Sequence, residues 1–571
     1  MTLSKVYRTE YPRPQFKRDS YICLNGQWDF EIDYSQSGEE REFYKNSKVL
    51  SGKINVPFCP ESKLSGIENV DFMPCVWYKK KIEVIKTDKR ILLHFGGVDY
   101  MCRLYVNERE AGTHAGYGSF YFDITDYVND GENVLALVCY DDTRSGKQPL
   151  GKQSRSFYSK GCDYTRTTGI WQTVWIEEVD NEYIKSVKVT ADIHSGDVVF
   201  EAKVCGSGIL NAKISFEGKE ITSVSQNAQN GMNVFTANVS DPVLWELGNG
   251  RLYDVEYTFC SDKVSSYFAF RDIRISGNKV LLNDRPVFQR LILDQGFYPD
   301  GIWTAPSDKD LKNDIILQMN LGFNGARLHQ KVFEERYLYW ADKLGYIVWG
   351  EFPSWGLDIT SLEGAYEFIP QWFEIVERDY NHPSVVCWCP FNETWDYNGK
   401  PADKRVLELV YTATKAFDSI RPVIDTSGSY HSMLTDIYDI HDYEQDADKM
   451  RNKWHGLKDD ETFDNFPDRQ TYGGQPVMLS EYGGIWWAPG RKDGWGYGNA
   501  PETKEEYINR YCGLTKALLS SDRLCGFCFT QATDVEQEQN GLYYYDRSVK
   551  FSPEEYSKIK DANETVAEIE K

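Results

Sequence analysis

The sequence predicts a multidomain chain: an N-terminal β jelly roll over 1–180, an immunoglobulin-like β-sandwich over 181–275, and a C-terminal (β/α)8 TIM barrel over 276–571. Three observations carry the prediction. The chain has 571 residues, and a single hydrophobic core stops growing near roughly 250–300. Before Ile275 the apolar residues fall in short β-branched and aromatic runs separated by Gly, Asn and Asp turns, without helical periodicity. After Ile275 short apolar runs alternate with amphipathic helical stretches, the pattern of parallel strands joined by crossover helices.

The first domain rests on runs such as Gly26-Gln27-Trp28-Asp29-Phe30, Arg90-Ile91-Leu92-Leu93-His94-Phe95 and Val134-Leu135-Ala136-Leu137-Val138. Such short, evenly spaced strands suit a double-sheet jelly roll. In the second, Ser186-Val187-Lys188-Val189-Thr190-Ala191 alternates polar and apolar residues, the period of a half-buried strand. Its length and turn spacing suit a sandwich, although the Cys…Trp…Cys signature of antibody domains is missing. In the third, helical stretches at 309–319, 333–344 and 405–417 separate strand candidates at 287–293, 323–328, 346–351, 385–391, 422–425, 437–441, 477–481 and 524–530. Eight βα units fit a closed barrel better than an open sheet of fewer strands.

Composition narrows the function classes. A net charge of −23 repels polyanions, which argues against nucleic acid and anionic membrane as partners. No apolar run approaches the roughly 20 residues of a membrane helix, and the first residues carry no apolar signal segment, so the expected location is the cytoplasm. The 13 Cys lack metal-ligand spacing and read as reduced thiols; no metal or organic cofactor is expected. Aromatic residues make up 15% of the chain, and aromatic faces suit the C–H faces of sugars, although most belong to the core.

Reactive groups of a barrel stand at the C-terminal ends of its strands. The fourth candidate ends in Asn392-Glu393-Thr394-Trp395, an amide and a carboxyl between aromatics. Apolar walls raise a carboxyl's pKa, so Glu393 is expected to be a general acid. The seventh ends in Glu481-Tyr482-Gly483-Gly484, a second carboxylate before a small-residue turn. Strands four and seven face each other across one mouth, and two facing carboxyls are the machinery of glycoside hydrolysis. Trp388, Trp395, Tyr482, Trp486 and Trp487 flank them in sequence.

Around this pair, His441 and Tyr443 after strand six are candidates to hold the nucleophile ionised, with a core histidine as the other reading of His441. Arg327 and His329 after strand two are candidates to charge a carboxylate or meet substrate hydroxyls; a structural ion pair is the alternative for Arg327. Asp294 after strand one is either a sugar-hydroxyl acceptor or a loop carboxylate. Trp486 completes the expected substrate-binding set.

With these residues in view the chain resembles glycoside hydrolase family 2, which contains β-galactosidases, β-glucuronidases and β-mannosidases. The likeness runs through Leu24-Asn25-Gly26-Gln27-Trp28-Asp29-Phe30, Asn55-Val56-Pro57-Phe58-Cys59-Pro60, Phe95-Gly96-Gly97-Val98-Asp99, Gly169-Ile170-Trp171-Gln172 and both carboxylate segments. It implies Glu393 as acid/base, Glu481 as nucleophile, and Asn392 on the hydroxyl beside the anomeric carbon. Where relatives often carry a His and an acidic residue after strand one, this chain reads Leu291-Ile292-Leu293-Asp294-Gln295. Where the β-glucuronidase branch carries Asn-x-Lys, it reads Glu536-Gln537-Glu538-Gln539-Asn540-Gly541, which disfavours a uronate unless Lys331 or Arg166 supplies the charge.

The expected function is therefore a retaining exo-glycosidase of β-galactosidase type that acts on a terminal sugar by double displacement. A β-glucuronidase or β-galacturonidase and an α-L-arabinofuranosidase are the alternatives within the family. A catalytically inactive carbohydrate-binding protein is the alternative of another class, and a transglycosylase would use the same residues. Partners are small or oligosaccharide glycosides, and the oligomeric state, a homo-oligomer included, is open.

Overall fold

The computed structural model describes residues 6–571 except 456, 458–460, 463–465, 467–469 and 491–493. In the first β region, a six-stranded antiparallel sheet runs in the order Gly52–Val56, Gly26–Ile32, Cys75–Val84, Gly131–Tyr140, Met101–Val106, Arg109–Ala115. A four-stranded antiparallel sheet of Ile22–Cys23, Val174–Val179, Arg90–Phe95 and Phe120–Asp123 faces it. Trp28, Phe30, Leu93, Phe95, Leu104, Leu135, Leu137 and Val174 share the core between the two sheets. Side chains alternate along a strand, so each strand gives this core every second residue and leaves the others outside.

The next region is a second antiparallel sandwich. Tyr183–Ala191, Asp197–Cys205 and Gly231–Asn238 form one sheet, and Lys219–Ala228, Gly208–Phe216, Tyr253–Phe259 and Asp262–Phe268 the other. Val198, Phe200, Ala202 and Val204 point inward at every second position of one strand, against Tyr257 and Phe259 of the other sheet.

Seven parallel strands build the third region: β1 (Gln289–Asp294), β2 (Gly325–Leu328), β3 (Ile347–Glu351), β4 (Val385–Cys389), β5 (Tyr438–Asp442), β6 (Val477–Gly483) and β7 (Leu524–Thr530), hydrogen-bonded in the order β4-β3-β2-β1-β7-β6-β5. All four residues of β2 and all six of β1 are buried, as expected of strands covered on both faces. The strand anticipated at 422–425 is no regular strand. It pairs with the β4 side through single parallel bridges, Trp388 with Val423 and Asn392 with Ser427. On its other side the Asp436 amide donates to the Val423 carbonyl, and the amides of Val423 and Asp425 donate to the side chains of Asp436 and Thr435.

Helices cover the strands from outside. Lys404–Phe417 begins at Asp403, whose carboxylate accepts from the Arg405 amide, and buries Val406, Leu407, Val410 and Thr414 along one stripe. Among the described residues no helix is long and apolar enough to cross a membrane.

The first β region also reaches the barrel mouth. The Leu150 amide donates to the Trp355 carbonyl at 2.6 Å and the Gly151 amide to the Pro353 carbonyl at 3.0 Å. Gly151 has φ 62°, and a Cβ there would stand 2.2 Å from the Gln330 carbonyl oxygen, so this close approach requires glycine. Farther along, the Tyr164 hydroxyl donates to Glu538, the Thr165 amide to Glu536, and the Trp495 and Gln537 side chains to the Gly161 carbonyl. Glu536 and Glu538 therefore clamp this loop.

Candidate active site

Glu393 follows β4 with φ 41°, a left-handed conformation that costs a non-glycine residue energy and is retained where surrounding contacts enforce it. Its amide donates to the Ser427 carbonyl at 2.8 Å, which fixes the turn. Its Oε1 lies 2.9 Å from His441 Nδ1, and its Oε2 accepts from the Trp395 indole at 3.2 Å.

Glu481 lies within β6, the next strand to β5 with its His441. Arg327 Nη1 donates to its Oε1 at 3.0 Å, the Tyr443 hydroxyl donates to its Oε2, and His441 Nδ1 is 3.5 Å from that oxygen. One oxygen of each glutamate and a ring nitrogen of His441 all lie within 4.8 Å of one another. That donor set is also the one among the described residues that could take up a divalent ion.

Arg327 organises the floor. Its side chain is 0% exposed. Nε donates to Glu351 Oε2 at 2.6 Å, Nη1 also donates to the Ser480 carbonyl, and Nη2 donates to Asn392 Oδ1 at 2.6 Å and to His329 Nδ1 at 2.9 Å. Asn392 Oδ1 is thereby occupied, while its Nδ2 is buried without an acceptor among the described residues. The amide is held ready to donate to something in the pocket.

The electrostatics follow from these contacts. Burial pushes the Glu393 carboxyl upward, but the hydrogen bond and charge of His441, the Lys152 charge and the Trp395 indole outweigh it and hold the group at about 2. Burial pushes the His441 imidazole down, and Glu481 and Glu393 more than reverse that, so the ring is raised. Glu481 is lowered by His441 and Arg327 against burial and against the repulsion of Glu393. His329 is driven to about 4 by burial, with Arg327 reinforcing and Glu351 opposing. The expectation that aromatic walls raise Glu393 is thus corrected: the imidazole in contact with it dominates over the walls, and the proton rests on His441.

Of the expected residues, Glu393, Glu481, Asn392, Arg327, His329, His441 and Tyr443 form this one hydrogen-bonded group. Asp294 does not join it. Its oxygens accept from the Gln318 side chain, the Tyr337 hydroxyl and the Gly296 amide, so it pins the turn after β1 to the helix Asp308–Met319. Trp486 is half-buried against Gly496 and lines neither of the two cavities that meet at Glu393 and Trp395. Trp388 and Tyr482 are core residues, with 0% exposure. The cations considered for a uronate are also committed elsewhere. Lys331 donates to the carbonyls of Gly296 and Trp303, and Arg166 to those of Ser154, Ser156 and Val70.

Sequence reasoning passed over Glu351, Trp355, Tyr497 and Lys152. Glu351 ends its strand, Glu393 follows its own and Glu481 stands two residues before the end of its own, which was a usable signal. Tyr497, stacked on Tyr443, and Trp355, whose indole donates to the Asn392 carbonyl, come from loops without any pattern to mark them.

Comparison with known proteins agrees with this construction. The family descriptions "Glycosyl hydrolases family 2, sugar binding domain", "Glycosyl hydrolases family 2" and "Glycosyl hydrolases family 2, TIM barrel domain" match residues 22–180, 182–271 and 275–558 in turn. The chain belongs to glycosyl hydrolase family 2. Similar curated family members include a β-galactosidase of Thermoanaerobacterium thermosulfurigenes, 26% identical over 75% of this chain and 61% of that protein. A putative β-glucuronidase of Formosa agariphila is 24% identical over 57% of this chain, and the match spans 41% of it. A β-glucuronidase of Streptococcus agalactiae is 23% identical over 88% of both chains. Among solved structures, a β-glucuronidase of an uncultured Clostridium species superposes with TM-score 0.78 at 20% identity over 96% of this chain and 99% of its own. One from Ruminococcus gnavus in complex with uronic deoxynojirimycin superposes with TM-score 0.79 at 19% identity, over 96% and 99%. At such identities these structures show a shared fold.

Proposed function

We propose that the protein is a retaining β-glycosidase that removes a terminal sugar, with β-glucuronides as the leading substrate class. The observation that carries the reaction is the separation of the two carboxylates. Facing oxygens of Glu393 and Glu481 lie within 4.8 Å. Retaining enzymes hold their carboxyl groups about 5–5.5 Å apart, and inverting ones leave roughly 6.5–9.5 Å for a water.

Glu481, ionised by Arg327 and His441, attacks the anomeric carbon. Its new C–O bond forms as the bond to the aglycone oxygen breaks, and Glu393 delivers a proton to that oxygen. That proton comes from His441 Nδ1: a sugar covering Glu393 strips its hydration and favours the neutral acid. Glu393 then takes a proton from the water whose oxygen displaces Glu481. Asn392 Nδ2 donates to the hydroxyl beside the anomeric carbon, where hydrogen bonds strengthen as positive charge develops.

The exo reading is supported by the loop of the first β region that spans 150–165 and walls one side of the mouth. The glucuronide reading is supported by the relatives, among which β-glucuronidases outnumber β-galactosidases; it replaces the galactosidase expectation as the lead. The carboxylates of Glu536 and Glu538, which weighed against a uronate, hold the loop. A panel of p-nitrophenyl glycosides, with NMR of the first-formed anomer, tests the proposal. A β-anomer released first, with turnover abolished in Glu481→Gln, is expected. An inverted product, or undiminished turnover in Glu481→Gln, would sink it.

A further inference from the structure

Lys152 is contributed by the first β region and is 6% exposed. Its ammonium lies 4.0 Å from the centre of the Trp355 ring, and the Trp355 indole donates to the Asn392 carbonyl, immediately before Glu393. The lysine is aimed by its backbone: its carbonyl accepts from the Tyr164 amide at 2.7 Å, and the preceding Leu150 and Gly151 are bonded to the loop after β3. Gly151, Gln153, Trp355, Asn392 and Glu393 line one continuous cavity.

Among the described residues this ammonium has neither a hydrogen bond nor an ion pair, although a buried cation ordinarily has both. Burial favours the neutral amine, while Cys162, Glu538, Glu393 and Glu481 raise the group. Glu538 makes no ion pair with it, and its two oxygens accept from the Tyr164 hydroxyl and the Asn540 amide. The cavity is lined by Asn392, whose Nδ2 lacks an acceptor among the described residues, and by the exposed Arg155, while Lys152 Nζ lies over the ring of the lining residue Trp355. Lys331 and Arg166 are engaged on backbone carbonyls.

We infer that Lys152, contributed by the first β region and lying over Trp355 at the wall of the barrel's pocket, is the residue that binds the carboxylate of a uronide substrate. The inference rests on the glycosidase reading with a uronide substrate. A substrate carboxylate supplies the missing acceptor with the opposite charge, and a neutral sugar supplies only a hydroxyl. Selectivity thus arises from a desolvated cation that only the charged substrate satisfies.

The test compares p-nitrophenyl β-D-glucuronide with the matched β-D-glucoside and β-D-galactoside on wild type, Lys152→Met, Lys152→Gln and Lys152→Arg, with D-glucuronate and D-glucose as competitive inhibitors. The glutamine variant keeps part of the stem over Trp355 should the methionine variant fold poorly, and melting curves report folding. Expected is a loss in kcat/KM for the glucuronide of about 100-fold beyond any loss on the neutral sugars. Weaker inhibition by D-glucuronate and partial recovery in Lys152→Arg should accompany it. Equal losses on charged and neutral substrates would overturn the role of Lys152 and leave the uronide reading standing. Wild-type turnover of neutral glycosides without turnover of the glucuronide would overturn the uronide reading, and the role of Lys152 with it.

Discussion

His441 Nδ1 lies 2.9 Å from Glu393 Oε1. The same nitrogen is 3.5 Å from Glu481 Oε2, so one imidazole touches both carboxylates of the proposed reaction. Because His441 is raised and Glu393 is held at about 2, the pair shares one proton that resides on the ring of the free protein.

That sharing sets a pH dependence. The pair loses its proton at the raised value of His441, which should define the alkaline limb of kcat/KM. In His441→Asn only Glu393 can hold the proton, and a carboxyl titrates below a raised imidazole unless burial lifts it by several units. The alkaline limb should therefore move toward lower pH. An unmoved limb would assign that titration to another group.

Arg327 ties Glu351, Glu481 and Asn392 together from a fully buried position. Arg327→Met leaves buried carboxylates without their cation, a change that costs about 3–5 kcal/mol. The unfolding midpoint should fall accordingly. Arg327→Lys keeps the charge but loses the planar fork, so stability should return in part while kcat/KM stays low. A methionine variant as stable as wild type would show that these ion pairs do not support the fold.

Gly151→Ala tests the wall of the mouth. The added methyl meets the Gln330 carbonyl at 2.2 Å in a left-handed conformation, so the loop must back away and carry Lys152 with it. A displacement near 1 Å lowers kcat/KM by about 10²-fold. The melting temperature should fall as well, because the left-handed φ and the clash with a backbone carbonyl must both be relieved. Normal kinetics with a lowered melting temperature would make this contact purely structural.

Glu393, His441 and Glu481 offer an imidazole and two carboxylates within 4.8 Å. Added Zn2+ should bind there, occupy the nucleophile and inhibit turnover, with activity restored by a chelator. His441→Asn should blunt the inhibition. Equal sensitivity in that variant would place any inhibitory ion elsewhere.

The sequence by itself determined the architecture and the placing of two carboxylates, Glu393 and Glu481, at one barrel mouth. Strand and helix periods are local, because side chains repeat every two or every 3.6 residues whatever lies far along the chain. The switch of texture after Ile275 and the positions of Glu393 and Glu481 near the C-terminal ends of their strands could therefore be read directly. Barrel topology then required strand ends to share one mouth, so Arg327, His441 and Tyr443 could also be placed near it. What only the tertiary structure decided were the protonation and the partners. Whether Glu393 is governed by aromatic walls or by His441 depends on which group lies within 3 Å of its oxygen, and electrostatic interactions fall off with distance and burial, not with sequence separation. The same reason turned Asp294 toward Gln318 and Lys331 toward backbone carbonyls. It brought Lys152, about 240 residues before Glu393 in the chain, to the edge of the pocket, because a folded loop held by Gly151 and Tyr164 joins residues that no local pattern connects.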